Sequence, residues 1–529
     1  MNSTTAQGQS ALAPAIGQSP KAELVFGFVY PLGTEVDPVI DYLQVGLKEF
    51  GYKPNAVVRI SDYLKNLKVE LVDQFKTDAE RLIKLGNKAC REARRKDFLA
   101  LAAISQIAQT RAPHQNRQPV PSFDVAHIVR SFKRPEEVET FRRVYRPGFY
   151  LIGVFSTDSE RKEYLRDRKG YKDETRRLME MDQNEEDDEY GQRTRKTFHL
   201  ADIFVKTQDK SYVKQINRFL DLVFGHPFVT PTKDEHGMFL AAAASMRSAQ
   251  FGRQVGASIL NATGDVLSVG TNEVPKTGGG SYWEDDKPDV RDHKRNPDSN
   301  GSILDSNDQV RREIQEDIIK QLDSFLDKSK DAANLWDLLG TTKLDDITEY
   351  GRAVHAEMDA LLSCVRCGVS PKNAVLYTTT FPCHNCARHI IAAGIRRVIY
   401  VEPYPKSRAW DLHDDAITFD DPENIGKPGN DERNDPSKKD DRVPFLPFVG
   451  IAPRRFLDLF SMELSSGSSK QRKDKEKGLM VRWSRQNAKN PRVPMLATSY
   501  LEREMMAVEG INETMKKLEG QDHGHEKKS

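Results

Sequence analysis

Short apolar runs alternate with longer amphipathic stretches along the first 230 or so residues of the chain. Leu24 to Val29, Asn55 to Ile60, His127 to Ser131, Phe149 to Phe155 and Ile203 to Val205 have strand character. Asp37 to Phe50, Phe98 to Arg111 and Arg134 to Tyr145 lie between them and read as helices. This order predicts a mainly parallel sheet covered by helices on both faces. The rhythm returns further along. Asp265 to Val269 is a strand, and His355 to Val365 carries Met358, Leu361, Leu362 and Val365 at helical spacing. Ala374 to Thr380 and Arg397 to Val401 are β-branched strand runs. They flank a helix from Cys386 to Ala393 that Gly394 ends. The fold class is α/β in both halves.

Breaks in the pattern suggest boundaries. Residues 1–22 read as a flexible tail without the basic and apolar regions of a signal peptide, 23–228 as a first domain, 235–510 as a second, and 511–529 as a frayed tail. The second domain carries a polar insertion at about 277–349, with an amphipathic helix expected from Ser306 to Lys328. Asp158 to Arg195 is dense in charge and reads as a solvated helical surface or a mobile lid. Asp421 to Arg442 reads as a disordered excursion.

Composition narrows the setting. The 529 residues are 38% hydrophobic and 30% charged, with a net charge of +1. Alternating charge signs favour a nucleotide over a polynucleotide as substrate, since a polymer binder usually shows a strong basic face. Five cysteines fit a reducing compartment better than a disulfide framework. No run approaches the roughly 18 apolar residues of a membrane helix. The expected location is cytoplasmic, with no membrane partner.

The chemistry concentrates in His355-Ala356-Glu357 and Pro382-Cys383-His384-Asn385-Cys386. This H-x-E…P-C-x-x-C pattern is that of zinc-dependent nucleobase deaminases. One imidazole and two thiolates suit a single zinc ion per chain and leave its fourth position open, which marks a catalytic site; a structural site is normally closed by four protein ligands. His355, Cys383 and Cys386 are the expected ligands, and Glu357 the expected proton carrier. His384 lies between the cysteines, where ring geometry disfavours ligation of the same metal. Cys364 and Cys367 are expected to be small buried side chains facing the sheet.

With this motif, Ser245 to Ala257, Gly270 to Pro275 and Glu402 to Ser407 resemble the deoxycytidylate deaminase branch of the cytidine deaminase superfamily. Together with the N-terminal half, which resembles a P-loop kinase-like fold, the chain looks like the bacterial anti-phage dCTP deaminases. The resemblance implies hydrolysis of a deoxycytidine nucleotide, dCTP or dCMP, and depletion of the pool an infecting phage needs. It also implies a homo-oligomer and a nucleotide or RNA regulator at the first domain. Asn272 matches the residue that holds the nucleoside near its sugar, and otherwise is a turn residue after its strand. Tyr404 and Lys406 would line the pocket, with Lys406 either meeting a phosphate or solvated. Arg454 and Arg455 are further phosphate candidates; Thr380 and Phe381 either pack along the base or finish the strand. A polynucleotide-editing deaminase and a nucleotide-sensing regulator with a vestigial deaminase are the alternatives.

In the first domain, Gly27, Gly33 and Thr34 sit where a phosphate loop would join strand to helix. The Walker spacing is exceeded by one residue and no lysine follows Gly33, so the expectation is nucleotide binding or an architectural relic, without kinase turnover.

Overall fold

The computed structural model describes residues 21–525 except 67–73, 112–120, 184, 186–187, 296–302, 323–331, 341, 343, 345–346, 348, 405, 420–440, 465–468, 489–490 and 494–499. The tail expected at 1–22 and the excursion at 421–442 lie largely outside the described residues. The chain forms two compact units, 1–231 with 449–529, and 232–448.

The first unit is built on β1 (Leu24–Val29), β2 (Lys53–Pro54), β3 (Val58–Arg59), β4 (Val125–Arg130), β5 (Phe149–Phe155) and β6 (Ile203–Lys206). β1 lies at the centre, parallel to β4 on one side and to β5 on the other. All six residues of β1 are buried, as an apolar run in a sheet covered on both faces requires. Leu24, Phe26 and Phe28 join one core with Val39, Leu43 and Leu47 of the Asp37–Glu49 helix and with Phe219 and Leu220 of the Tyr212–Val223 helix. Gly27 faces Phe132 and Phe149 on the other side. The strand expected from Asn55 to Ile60 is broken. β2 and β3 are two residues each, and Ile60 already begins a helix.

The second unit contains β7 (Gly256–Leu260), β8 (Val266–Thr271), β9 (Val375–Thr380), β10 (Arg397–Glu402), β11 (Ile417–Thr418) and β12 (Val443–Pro447), in sheet order β11-β12-β10-β9-β7-β8. β9 to β12 run parallel, whereas β7 is antiparallel to both β8 and β9. The C-terminal ends of β8, β9 and β10 and the N-terminal end of β7 therefore share one edge of the sheet. The insertion holds helices at Ser306–Leu322 and Ala332–Gly340. The first was expected to continue to Lys328 as an amphipathic helix. It is described only to Leu322, and no residue of it is buried.

Two expected boundaries are corrected. The second domain does not continue from 235 to 510, because the chain returns to the first unit at Val449. β13 (Gly450–Ile451) pairs antiparallel with β6 at the edge of the first sheet. The tail expected at 511–529 is helical as far as His525, in a helix that begins at Leu501. This helix packs on Phe98–Gln109, and its start joins a buried polar cluster. Arg111 donates to Glu23 and Glu504, Tyr145 donates to Glu504, Tyr500 donates to Glu23, and His127 Nε2 lies 3.1 Å from Glu23. Arg111 is thus paired with both carboxylates, and a low-dielectric interior demands such pairing of a buried cation. The charged stretch 158–195 is likewise anchored, with Arg161, Leu165, Leu178, Met179 and Asp182 buried.

Glu504→Ala would leave Arg111 buried with one partner fewer. The expected result is a loss of about 1–3 kcal/mol of first-unit stability, read as a lower urea midpoint by circular dichroism.

Candidate active site

Two helix N-termini meet at the shared edge of the second sheet. His355 caps the helix Ala356–Arg366, and Cys383 caps the helix His384–Ala392, whose first turn contains Cys386. Both helices begin close to where the sequence places them, the second two residues earlier than expected. The first helix lies hard against β8. A Cβ on Gly270 would fall 2.2 Å from the Ala356 carbonyl oxygen and 2.3 Å from the Ala360 nitrogen, so only glycine admits this approach. Ser268 donates to the Ala360 carbonyl at 2.8 Å, and the Thr271 N–H donates to Asp359 at 3.2 Å. These contacts fix the height of His355 and Glu357 above the sheet edge.

Cys383 Sγ and Cys386 Sγ lie 3.3 and 3.4 Å from His355 Nδ1, and the three ligand atoms fall within 4.8 Å of one another. Sulfur and nitrogen ligands of a tetrahedral zinc stand roughly 3.6 Å apart, so the group fits that ion. Hydrogen bonding with Cys386 holds the Cys383 thiol down to about 4, with His355 helping and burial opposing. The same bond, with burial, pushes Cys386 well above an ordinary thiol. His355 is raised to about 9, chiefly by its hydrogen bond to Cys383.

Glu357 is buried beside this group, with Oε2 3.4 Å from Cys386 Sγ and Oε1 3.3 Å from the Thr378 hydroxyl. Burial raises its pKa above the ordinary carboxylate value, although His355 opposes the shift. Thr378 is fully buried and also hydrogen-bonds the Thr380 carbonyl. No motif signals it. It is found only because β9 runs beneath the Ala356–Arg366 helix.

Residues 231–402 match the cytidine and deoxycytidylate deaminase zinc-binding region. The second unit carries a deoxycytidylate-deaminase-like zinc-binding domain. ComE operon protein 2 of Bacillus subtilis is 43% identical over 65 residues, 12% of this chain and 33% of that protein. The deoxycytidylate deaminase of Enterobacteria phage T2 is 41% identical over 59 residues (11% and 31%), and that of Homo sapiens 36% over 66 (12% and 35%). The chain spans about a third of the length of these curated relatives. Among solved structures, the dCMP deaminase of cyanophage S-TIM5 aligns with 14% identity over 42% of this chain and 100% of that one, at a TM-score of 0.21. Shikimate kinase from Acinetobacter baumannii aligns with 9% identity over 41% and 99%, at 0.24. At such scores neither likeness bears on the fold.

Other sequence candidates of the deaminase-like domain divide. Asn272 follows β8 at the same edge, with its amide clamping the loop before β7. Oδ1 accepts from the Val255 N–H at 2.7 Å and Nδ2 donates to the Arg253 carbonyl at 2.8 Å. Tyr404 and Lys406 follow β10 at this edge, Tyr404 half-buried and Lys406 exposed. Phe381, just after β9, is buried among Tyr400, Phe419 and Phe445. Cys364 is buried against Ser268, as expected, but Cys367 is exposed at the helix end.

Arg454 and Arg455 are corrected as phosphate candidates, because both belong to the first unit. Arg454 donates to the Leu200 carbonyl; Arg455 donates to the Phe149 carbonyl and pairs with Asp202 and Asp458. The loop after β1 is also occupied by the protein itself. Gly27 is mid-strand, where a Cβ would meet Phe132 at 2.7 Å and Phe149 at 2.9 Å, so it serves packing. The Leu32 N–H donates to Asp182 at 2.8 Å, Lys133 bridges Asp182 and the Tyr30 carbonyl, and Arg161 donates to the Leu32 carbonyl. Gly33 has φ +92° and lies against the Arg161 carbonyl, while the Thr34 side chain is buried. Among the described residues, no helix is long and apolar enough to cross a membrane.

If the three-residue group holds the ion, the purified chain contains about one zinc per molecule, and Cys386→Ser lowers that content sharply. Atomic emission spectrometry on dialysed protein checks both.

Proposed function

We propose that the second unit deaminates deoxycytidine nucleotides, dCTP or dCMP, releasing ammonia and the corresponding uracil nucleotide. The observation that carries this reading is Glu357, a buried carboxyl held 3.4 Å from one member of a His/Cys/Cys group that suits zinc. His355, Cys383 and Cys386 would hold the ion. Zinc bound there supplies Lewis acidity, which lowers the pKa of water from 15.7 to about 7.

The chain's own residues do the rest. Glu357 accepts the proton of the water that adds to C4 of the ring, gives a proton to N3, and carries another to the departing amine. Its burial suits this shuttle, because a carboxylate whose pKa is raised is a better proton acceptor than an ordinary one. Thr378 holds the carboxyl group in place through the contact of its hydroxyl with Oε1. Asn272, Tyr404 and Lys406 stand at the same sheet edge and would hold the sugar and phosphate. The reading extends to a cytoplasmic enzyme that lowers the deoxycytidine nucleotide pool during phage infection.

Glu357→Gln is expected to retain zinc and lose at least about a hundredfold in kcat on dCMP or dCTP, measured as uracil nucleotide formed. Full activity in that variant would remove Glu357 from the reaction. Thr378→Val keeps the side-chain volume but withdraws the hydroxyl. A fall in kcat of about tenfold with zinc content kept is expected.

A further inference from the structure

His355 is placed by the chain that leads into it as well as by the helix it caps. Its own backbone is extended, with φ −67° and ψ 151°, and the helix begins at Ala356. The direction of the imidazole therefore depends on residues 352–354, and these are held by groups distant in sequence. Val354 bridges antiparallel to Glu273, and its N–H donates to the Glu273 carbonyl at 3.1 Å. Arg352 Nη1 donates to Asp292 Oδ1 at 2.5 Å and to the Val290 carbonyl at 3.3 Å. Asp292 belongs to the insertion and is buried. Its neighbour Arg291 is also buried, donates to Asp289 and Glu284 at 2.7 and 2.6 Å, and lies 3.9 Å from the fully buried Glu273 carboxylate. Glu273 in turn accepts the Ala249 and Val274 N–H groups at 2.9 and 2.8 Å. The start of the insertion is thus fastened to the turn after β8, and it offers Asp292 to the residues entering His355.

Stability alone does not account for Asp292. The Arg352 side chain is 30% exposed, and an ion pair that solvent reaches contributes little. The Asp292 side chain is 7% exposed, so its desolvation offsets much of the attraction. The pair joins residues 60 positions apart, so no local turn requires it. What it does is hold the chain three residues before a metal ligand, where a shift of the main chain would turn the imidazole. Groups outside the ligand set that orient a ligand change metal affinity or activity by about ten- to a hundredfold.

We propose that Asp292 is a positioning residue for the zinc ligand His355, acting through Arg352. This rests on the zinc group of the deaminase reading above. The test uses the full-length chain as wild type, Arg352→Ala, Arg352→Lys, Asp292→Ala and the double alanine variant. Zinc affinity is read by competition with a chromophoric chelator, kcat and KM on dCMP and dCTP with zinc in excess, and the fold by circular dichroism. Arg352→Ala should keep the circular dichroism spectrum, hold zinc about tenfold or more less tightly, and lose kcat rather than raise KM. Arg352→Lys should recover part of the affinity, since it keeps the charge and loses the fork. The double variant should lose no more than the larger single loss, because both substitutions break one contact. Wild-type zinc affinity and kcat in Arg352→Ala, or losses that add in the double variant, overturn this inference alone. A wild-type chain that binds zinc and turns over neither nucleotide overturns the deaminase reading, while weaker zinc binding in the variants still supports the inference. A wild-type chain without affinity for zinc overturns both.

Discussion

Everything at the candidate site depends on how closely the Ala356–Arg366 helix lies on β8. Gly270 makes the approach sterically open, and a side chain there would have to push back the helix backbone at Ala356 and Ala360. Ser268 and Asp359 then lock the helix at that height with hydrogen bonds on either side of the glycine. His355 caps this helix and Glu357 sits in its first turn, so a shift of the helix would move the imidazole and the carboxyl together. The cysteines come from a separate helix that follows β9. The parallel pairing of β9 with β10 brings that helix start to the same edge. Geometry of this kind is set by packing and tolerates little slack, as sites built on rigid elements do.

The chemistry was legible because its residues lie within 32 positions of one another and because strand and helix periods differ. His355, Glu357, Cys383 and Cys386 were found in sequence and meet in space. Thr378 was not found, since it meets Glu357 only when β9 and the Ala356–Arg366 helix come together. The return of the chain at Val449 was missed for a similar reason. Nothing near Arg111 announces Glu504, a partner 393 positions away. Arg454 and Arg455 illustrate the cost. Read as neighbours of the zinc motif along the chain, they are in space neighbours of Asp202 and Phe149.

The loop after β1 shows how a sequence signal can be correct in form and misleading in content. A glycine loop does join a central strand to a helix, between neighbours β4 and β5, which is where open α/β sheets place ligands. Yet the backbone N–H of Leu32 donates to Asp182, and Lys133 neutralises that carboxylate at 2.6 Å. The anion at this loop is the protein's own. Asp182 lies 150 residues away from Leu32, inside the stretch whose charge density reads as solvated surface. High local charge identifies surface only when the charges lack buried partners, and here Lys133 and Arg161 supply them.

Set against this, Glu357 differs from four other buried acids. Glu23 and Glu504 share Arg111, Glu137 has Arg134, and Asp182 has Lys133. Among the described residues, the hydrogen-bond partners of Glu357 are a hydroxyl and a thiol. Burial makes this carboxyl costly to keep ionised and raises its pKa, with His355 opposing the shift. A fold that pairs those four carboxylates with arginine or lysine has the means to pair this one. Leaving it to titrate beside a group suited to zinc gives up stability and keeps a carboxyl able to exchange protons. That contrast within one chain favours chemistry at Glu357 over a structural role for the zinc group.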